Sequence, residues 1–490
     1  MTEREWLDLI EKVNAEGPFK DTWESLSAFE YPPFFLENNL GVFIHWGAFC
    51  VAEADSEWYP RNMYMKDSVA WKHHVATYGE HKNFGYKDFI PLFKAEKFNA
   101  DDWVALFKEA GAGYIVPVAE HHDGFQMYKS DLSHWNAFEK GPCRDVIGEL
   151  KAAAEKQGVT FCTSTHRVEH WWFMSHGLEF DSDMTEPPKK GDLYWPASKE
   201  PADHESLTQC PPSEEYMNDW MARTAELIWN YRPSFVYFDW WVQHLTVRPY
   251  LKKIAAFYYN CGKLWNQPVA VCYKHDAMQP GTGIADIERG GFAVPQPFPW
   301  QTDTAVTRNS WCHTADLDYK PTSEVIAMYV DTIAKNGNLL LNIGPKHDGT
   351  IPPRDTQILR EMGAWIRVNA DAVKGAKAWK VYREGPTASP AGEFSDRVGI
   401  EYTPRDVRFT ANKGKIYATV LKCPDDGRFT IESLACRTPE KKPLYWGSIE
   451  TVRILGYEGE LTWNVDGEGL HVFAPGISSD LPVVIEVCAE

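Results

Sequence analysis

The run Phe235-Val236-Tyr237-Phe238 constrains the fold more than any other stretch. Four apolar or aromatic residues pass without a break into one carboxylate, Asp239, with Trp240 and Trp241 directly after it. A continuous apolar run of this kind reads as a strand buried on both faces, as in parallel sheets. Its abrupt polar end sets Asp239 at the carboxyl end of the strand, where the loops of an α/β barrel converge on one crevice. Two readings are open at this point. Asp239 is a nucleophile or base beside indole faces on which a sugar ring stacks, or it caps the helix that follows.

The pattern recurs along the chain. Gly41-Val42-Phe43-Ile44-His45-Trp46-Gly47 is a strand ending in His45, and its loop carries Ser56-Glu57-Trp58-Tyr59. A capped amphipathic helix over 101–108 precedes a strand over 114–119, which delivers Glu120, His121, His122 and Asp123. A helix over 145–157 and a strand over 159–164 lead to a loop with His166, Glu169 and His170. Residues 176–212 read as an irregular insertion. Helix 213–231 feeds the strand ending at Asp239. Helix 248–260 precedes strand 269–274, ending at Lys274. Then come Asp286-Ile287-Glu288-Arg289-Gly290 and Trp300-Gln301-Thr302-Asp303, followed by helix 323–335, strand 338–345 and helix 354–370.

Strands alternating with helices predict a parallel α/β fold. Strand ends that repeatedly carry His, Trp, Asp or Glu favour a (β/α)8-like TIM barrel over an open sheet. After Trp379 the segments become short, apolar and separated by Gly, Asp and Pro, which reads as a C-terminal antiparallel β-sandwich. The expected division is a catalytic barrel over residues 1–380, opened by an amphipathic leader helix within 1–35 that Pro32 and Pro33 break, and a sandwich over 381–490. A chain of 490 residues is long enough for two or three domains.

Charge narrows the partners. The formal net charge is -19, spread rather than blocked, which argues against nucleic acid and anionic membrane. No stretch is long and apolar enough to span a bilayer, and no secretory signal is visible, so a cytoplasmic location is expected. The ten cysteines form no C-x-x-C pair and read as reduced. No G-x-G-x-x-G or Walker loop follows a strand, so no dinucleotide or phosphate cradle is expected. With 21 Trp, many beside His, Asp or Glu, the chain suits a sugar-binding cleft.

A glycosidase needs two carboxyl groups flanking the scissile bond. Asp239 is the first. Candidates for the second are Glu57, Glu120, Glu288 and Asp303. Glu288 follows a strand-like run but also stands next to Arg289, where it could form a surface ion pair. His45, His121 and His122 would offer hydrogen bonds to sugar hydroxyls. With Glu120 and Asp123 they also make a possible metal cluster, although neither H-x-H nor H-E-x-x-H spacing supports one.

The motifs His45-Trp46-Gly47, Ser56-Glu57-Trp58-Tyr59, His121-His122-Asp123-Gly124-Phe125, Phe238-Asp239 and Asn338-Leu339-Leu340-Leu341-Asn342-Ile343-Gly344-Pro345, in this order, resemble the α-L-fucosidases of glycoside hydrolase family 29. The resemblance implies a catalytic barrel, a C-terminal sandwich, and retaining release of L-fucose from a fucosylated oligosaccharide or glycoside, with no metal or organic cofactor. It implies Asp239 as nucleophile, with His45, Glu57, Trp58, His121 and His122 lining the sugar pocket; Trp240 and Trp300 are expected to bind the substrate with them. Many relatives carry Glu after Trp in the segment matching Trp300-Gln301-Thr302. Here Gln301 has no proton to give, so Glu288 is expected as acid/base, with Asp303 and Glu57 in reserve. Lys274 stands near where relatives often set Arg against the sugar. The alternatives are a glycosidase acting on L-galacto-configured sugars and a fucose-binding protein impaired by Gln301. Oligomeric state is left open.

Overall fold

The computed structural model describes residues 1–389, 391–440 and 442–489. Pro390, Lys441 and Glu490, all within the stretch expected as a sandwich, lie outside that set. Nine parallel strands form the first sheet: β1 Leu40–Ile44, β2 Tyr114–Glu120, β3 Thr160–Phe161, β4 Thr163–Thr165, β5 Phe235–Phe238, β6 Ala270–Tyr273, β7 Ile284–Glu288, β8 Trp300–Ala305 and β9 Gly337–Ile343. β3 and β4 both pair with β2 and are one stave interrupted at Cys162. β1 bonds to both β2 and β9, so eight staves close into the barrel that the alternation of strands and helices predicts.

Side chains alternate along each stave. In β5, Phe235 and Tyr237 join the apolar cluster inside the barrel, while Val236 and Phe238 pack outward against the helices. The next inward position is Asp239. By the same period, Phe43 in β1 is followed inward by His45, and Cys272 in β6 by Lys274. The two-residue repeat therefore delivers a polar group from each of these three staves to the upper rim, above an inward aromatic or apolar residue of the same stave.

The N-terminus departs from expectation. In place of one leader helix broken near residue 32, a helix runs over Glu3–Glu16 and stops at Gly17. It buries Trp6, Ile10 and Val13, spaced for one helical face, against the helices Glu214–Tyr231 and Arg248–Trp265. Pro33 opens the short helix Pro33–Glu37, because proline at a first helical position gives up only an N–H that has no partner anyway. That helix sets Phe34 against Tyr114 and Phe235 at the lower end of the barrel.

The C-terminal part holds two antiparallel sheets. β10 Lys377–Glu384, β11 Val407–Asn412, β12 Lys415–Val420, β17 Val483–Ala489 and β14 Ile449–Ile454 form one, in that spatial order. β13 Arg428–Ile431, β16 Leu470–Phe473 and β15 Thr462–Val465 form the other. Phe409, Ile416 and Ile485 from the first share one core with Phe429, Leu470 and Val472 from the second. Trp365 Nε1 donates to the Pro482 carbonyl at 2.7 Å and ties the sandwich to the barrel.

Candidate active site

Inward residues from the upper strand ends enclose one hollow. It is lined by Phe43, His45, Glu57, Trp58, His121, His122, His166, Tyr237, Asp239, Trp240, Lys274, Glu288, Asp303 and Trp311. The hollow gathers the expected site residues other than Trp300 and the candidate carboxyl Glu120.

Asp239 sits at its centre and is 6% exposed. His166 Nδ1 donates to Asp239 Oδ2 at 2.8 Å, and His122 Nε2 lies 3.4 Å from the same oxygen. Lys274 Nζ donates to Asp239 Oδ1 at 3.1 Å and to Glu288 Oε2 at 2.6 Å, and lies 3.3 Å from Asp303 Oδ2. Asp239 Oδ1 and Glu288 Oε2 are therefore no further apart than the sum of their two distances to one nitrogen.

The two carboxyls are pushed in opposite directions. Burial works to raise Asp239, but the Lys274 and His166 charges and hydrogen bonds from His122 and His166 outweigh it and hold Asp239 well below the usual carboxylate range. Burial raises Glu288 to about 7. Lys274 opposes that rise, and the Asp303 and Asp239 charges add to it. One group stays ionised while its neighbour keeps a proton near neutrality, the condition for two carboxyls to take different roles.

The imidazoles are also differentiated. His45 Nδ1 donates to Asn342 Oδ1 at 2.7 Å, the donor role following from Asn342 Nδ2 donating to the Trp311 carbonyl. Burial and the His166 charge push His45 far down, so it is neutral and turns Nε2 to the hollow as an acceptor. His121 Nδ1 is buried with no hydrogen-bond partner among the described residues. His122 is raised to about 9: burial lowers it, but Glu169 and Asp239 beside it raise it further. Glu57 Oε2 accepts from the Trp311 backbone N–H at 3.0 Å. Trp58 and Trp240 stack at 6.3 Å between centroids and form an aromatic wall.

Nitrogens of His45, His121 and His166, and ligand atoms of His122, His166 and Asp239, each lie within 4.8 Å of one another, close enough for a small cation. His45 Nδ1 and His166 Nδ1 are already engaged with Asn342 and Asp239, and His166 Nε2 lies 3.1 Å from Ser164 Oγ.

Several expectations are corrected by strand geometry. Trp300 is the first residue of β8, at the end of the stave remote from the hollow. Its indole points outward, donates to the Lys335 carbonyl at 2.9 Å and packs on Phe292. Gln301 points inward but lies on the floor, where it accepts from Tyr114 Oη and donates to Asp286 Oδ2, both at 2.9 Å. The carboxyl that β8 sends to the hollow is Asp303, two residues on, which takes a hydrogen bond from Tyr237 Oη at 2.8 Å. Glu120 does not reach the hollow. A register slip between Val118 and Glu120 turns it to Arg167 and Arg223, at 2.9 and 3.2 Å, and gives the inner place to His121. Asp123 is held by Tyr86 Oη.

His166 and Trp311 line the hollow without having been assigned to it from the sequence. His166 stands one residue beyond β4 as Asp239 stands one beyond β5, so the strand-end rule was available to find it. Trp311 lies in the loop after β8, where local periodicity carries no signal; contacts with Glu57, His45 and Arg289, all far away in sequence, fix it.

Comparison with known proteins matches this architecture. Residues 8–371 fit the family model of alpha-L-fucosidase, and residues 401–483 that of the alpha-L-fucosidase C-terminal domain. Tissue alpha-L-fucosidase of Rattus norvegicus is 30% identical over 479 residues, covering 92% of this chain and 88% of that protein. The Homo sapiens tissue enzyme is 28% identical, covering 96% and 91%. The crystal structure of Thermotoga maritima alpha-fucosidase in complex with fucose superposes with a TM-score of 0.73 at 26% identity, over 96% of this chain and all of that one. With both family models fitting in sequence order, barrel first and sandwich second, this chain belongs to the alpha-L-fucosidase family.

Proposed function

We propose that the protein is a retaining exo-α-L-fucosidase with Asp239 as nucleophile and Glu288 as acid/base. The observation that carries this reading is the pairing of both carboxyls with one Lys274 ammonium, at 3.1 and 2.6 Å. That bound on their separation agrees with the about 5–5.5 Å of retaining glycosidases and falls short of the about 6.5–9.5 Å that inverting enzymes need for a water.

In the first step an Asp239 oxygen bonds to the anomeric carbon while the glycosidic C–O bond breaks, and the Glu288 proton passes to the departing oxygen. In the second, water attacks that carbon, gives its proton to Glu288 and releases the Asp239 carboxylate. The low-lying Asp239 and raised Glu288 suit these roles at neutral pH. His45 as acceptor, His121 with an uncommitted nitrogen and Glu57 would hold the ring hydroxyls, and Trp58 and Trp240 would cover an apolar face. The substrate class is fucosylated glycans and glycosides. The impaired-binder reading rested on Gln301. That residue belongs to the barrel floor, so the missing carboxyl there does not bear on catalysis at the rim.

NMR of the first-formed product tests the stereochemistry. Release of α-L-fucose before mutarotation supports double displacement, and release of the β anomer overturns it. Azide should restore turnover to Asp239→Gly as β-L-fucosyl azide and to Glu288→Ala as α-L-fucosyl azide. Near-normal turnover of Glu288→Ala on a poorly activated substrate would move the proton donor elsewhere.

A further inference from the structure

β6 and β7 pair at only two positions, Cys272 with Ile284 and Tyr273 with Ala285. Beyond them the staves part, and β7 continues to Glu288 bonded to β8 alone. A strap of residues 392–396, in the loop between β10 and β11, runs along the end of β7. The Phe394 N–H donates to the Glu288 carbonyl at 2.9 Å, and the Asp396 N–H to the Arg289 carbonyl at 3.1 Å. Gly392 and Gly291 exchange two backbone bonds, at 2.9 and 3.3 Å. The approach is so close that a Cβ at Gly290 would fall 1.7 Å from the Gly392 carbonyl oxygen. The strap therefore acts as a short extra strand beside the residue proposed as acid/base.

On the β6 side, the residue after Lys274 is His275. Its Nε2 lies 3.1 Å from Glu393 on the strap and its Nδ1 3.5 Å from Glu205 on the 176–212 insertion. Next to Glu205, His204 has its ring 5.8 Å from that of Trp240 on the wall of the hollow. Phe394 is 39% exposed, although its backbone is fixed against Glu288.

We propose that His275, Glu393, Phe394 and Glu205 form the subsite for the sugar from which fucose is cleaved. The proposal rests on the fucosidase reading, because the leaving oxygen departs on the side of its proton donor, Glu288. A second pyranose on that side meets the three features that bind one. Phe394 has the Arg397 guanidinium over one face, 4.7 Å from the ring centroid, and offers its other face for C–H packing. Glu393 and Glu205 offer carboxylate oxygens to hydroxyl donors. His275 holds the two acids together, so insertion and strap meet as one rim.

Kinetics on two substrate types test this. α-L-Fucosyl fluoride has no sugar on the leaving side, whereas a panel of fucosyl disaccharides differing in linkage does. The unmodified protein must first cleave the fluoride; failure there overturns the fucosidase reading and the subsite with it. Phe394→Ala and Glu393→Gln should then lower kcat/KM for the best disaccharide about 10-fold more than for the fluoride. Glu205→Gln, on a side chain that is 69% exposed, should shift the same ratio in the same direction. Equal losses on both substrates would make the strap a support for Glu288 and nothing more. No loss on either would also overturn the subsite.

Discussion

A carboxylate oxygen of Glu169 lies 3.1 Å from Nδ1 of His122, in full burial, and neither Glu169 oxygen has a hydrogen-bond partner among the described residues. The other nitrogen of His122 faces Asp239. Burial raises Glu169 itself to about 8, so it is above that value that its charge acts on the nucleophile through His122 and keeps that ring protonated to about 9. Glu169→Gln keeps the shape and removes the charge, so the His122 pKa should fall. Above the new value His122 is neutral and gives Asp239 less support. Above about 8, where Glu169 is ionised, activity should drop about 10- to 100-fold, the equivalent of one charge-assisted hydrogen bond of roughly 1.5–3 kcal/mol. The loss should deepen as pH rises from about 7 to 9, beyond the fall that Glu288 imposes. A kcat/KM profile against pH checks both, and a profile that overlays the parent's would remove Glu169 from the catalytic account.

Glu288 must carry a proton to act as acid, and its value of about 7 sets the alkaline limb of kcat/KM. Asp239 must be ionised, and its depressed value sets the acid limb far lower. Lys274 lowers both groups. Lys274→Met should therefore raise both, moving each limb toward higher pH while the maximum rate falls. Initial rates of parent and variant across the acid and alkaline range measure the two limbs. An alkaline limb that stays fixed or moves down would contradict the charge assignment.

The strand ends that carry the site could be read from sequence because the inward period of two continues one step past each strand. Asp239, His45 and Lys274 all follow an inward aromatic or apolar residue by two. The same rule covers His166, which follows Ser164 by two; the strand read over 159–164 ends in the polar Thr163-Ser164, so no apolar run leads into His166 and marks it out. Glu120 was misread because a bulge breaks the period just before it. Trp300 was misread because its neighbours do not say where β8 begins; counting back from Asp303 at the rim would have put the indole low and outward. Trp311 and the strap at 392–396 had no local signal, since long-range contacts alone hold them in place.

Gln301 offers a direct check on that geometry. If its place in β8 were the catalytic one, Gln301→Glu would add a proton donor and raise activity. The structure instead puts its amide between Tyr114 Oη and Asp286, with Asp286 itself raised by burial and by the Asp303 charge. The variant gives up the amide donor to Asp286 and brings a third buried carboxyl into the group. It should lose about 1–3 kcal/mol of stability with no gain in turnover. Thermal unfolding and rates on one aryl fucoside measure the two effects, and increased turnover would reverse the assignment of the floor.

The sandwich is held to the barrel by a buried ion pair. Asp331, on the helix Thr322–Ala334, receives Arg408 Nε from β11 and Lys335 Nζ at 2.6 Å. Arg408 is fully buried. Burial tends to raise Asp331, but Arg408 and Lys335 more than offset it and leave the carboxyl below its ordinary value. A depressed folded pKa stabilises the fold above the unfolded carboxylate value, and that stability is lost as pH falls through the folded one. Arg408→Met keeps much of the volume and strands part of the Asp331 charge, so it should cost about 3–5 kcal/mol at neutral pH. Without Arg408 the Asp331 pKa rises, so acidification should cost the variant less than it costs the parent. Denaturant unfolding at neutral and acid pH reads the difference. A variant as stable as the parent at neutral pH, or equally acid-sensitive, would show that the two units are held by their apolar contacts, with Trp365 at the seam, and not by this pair.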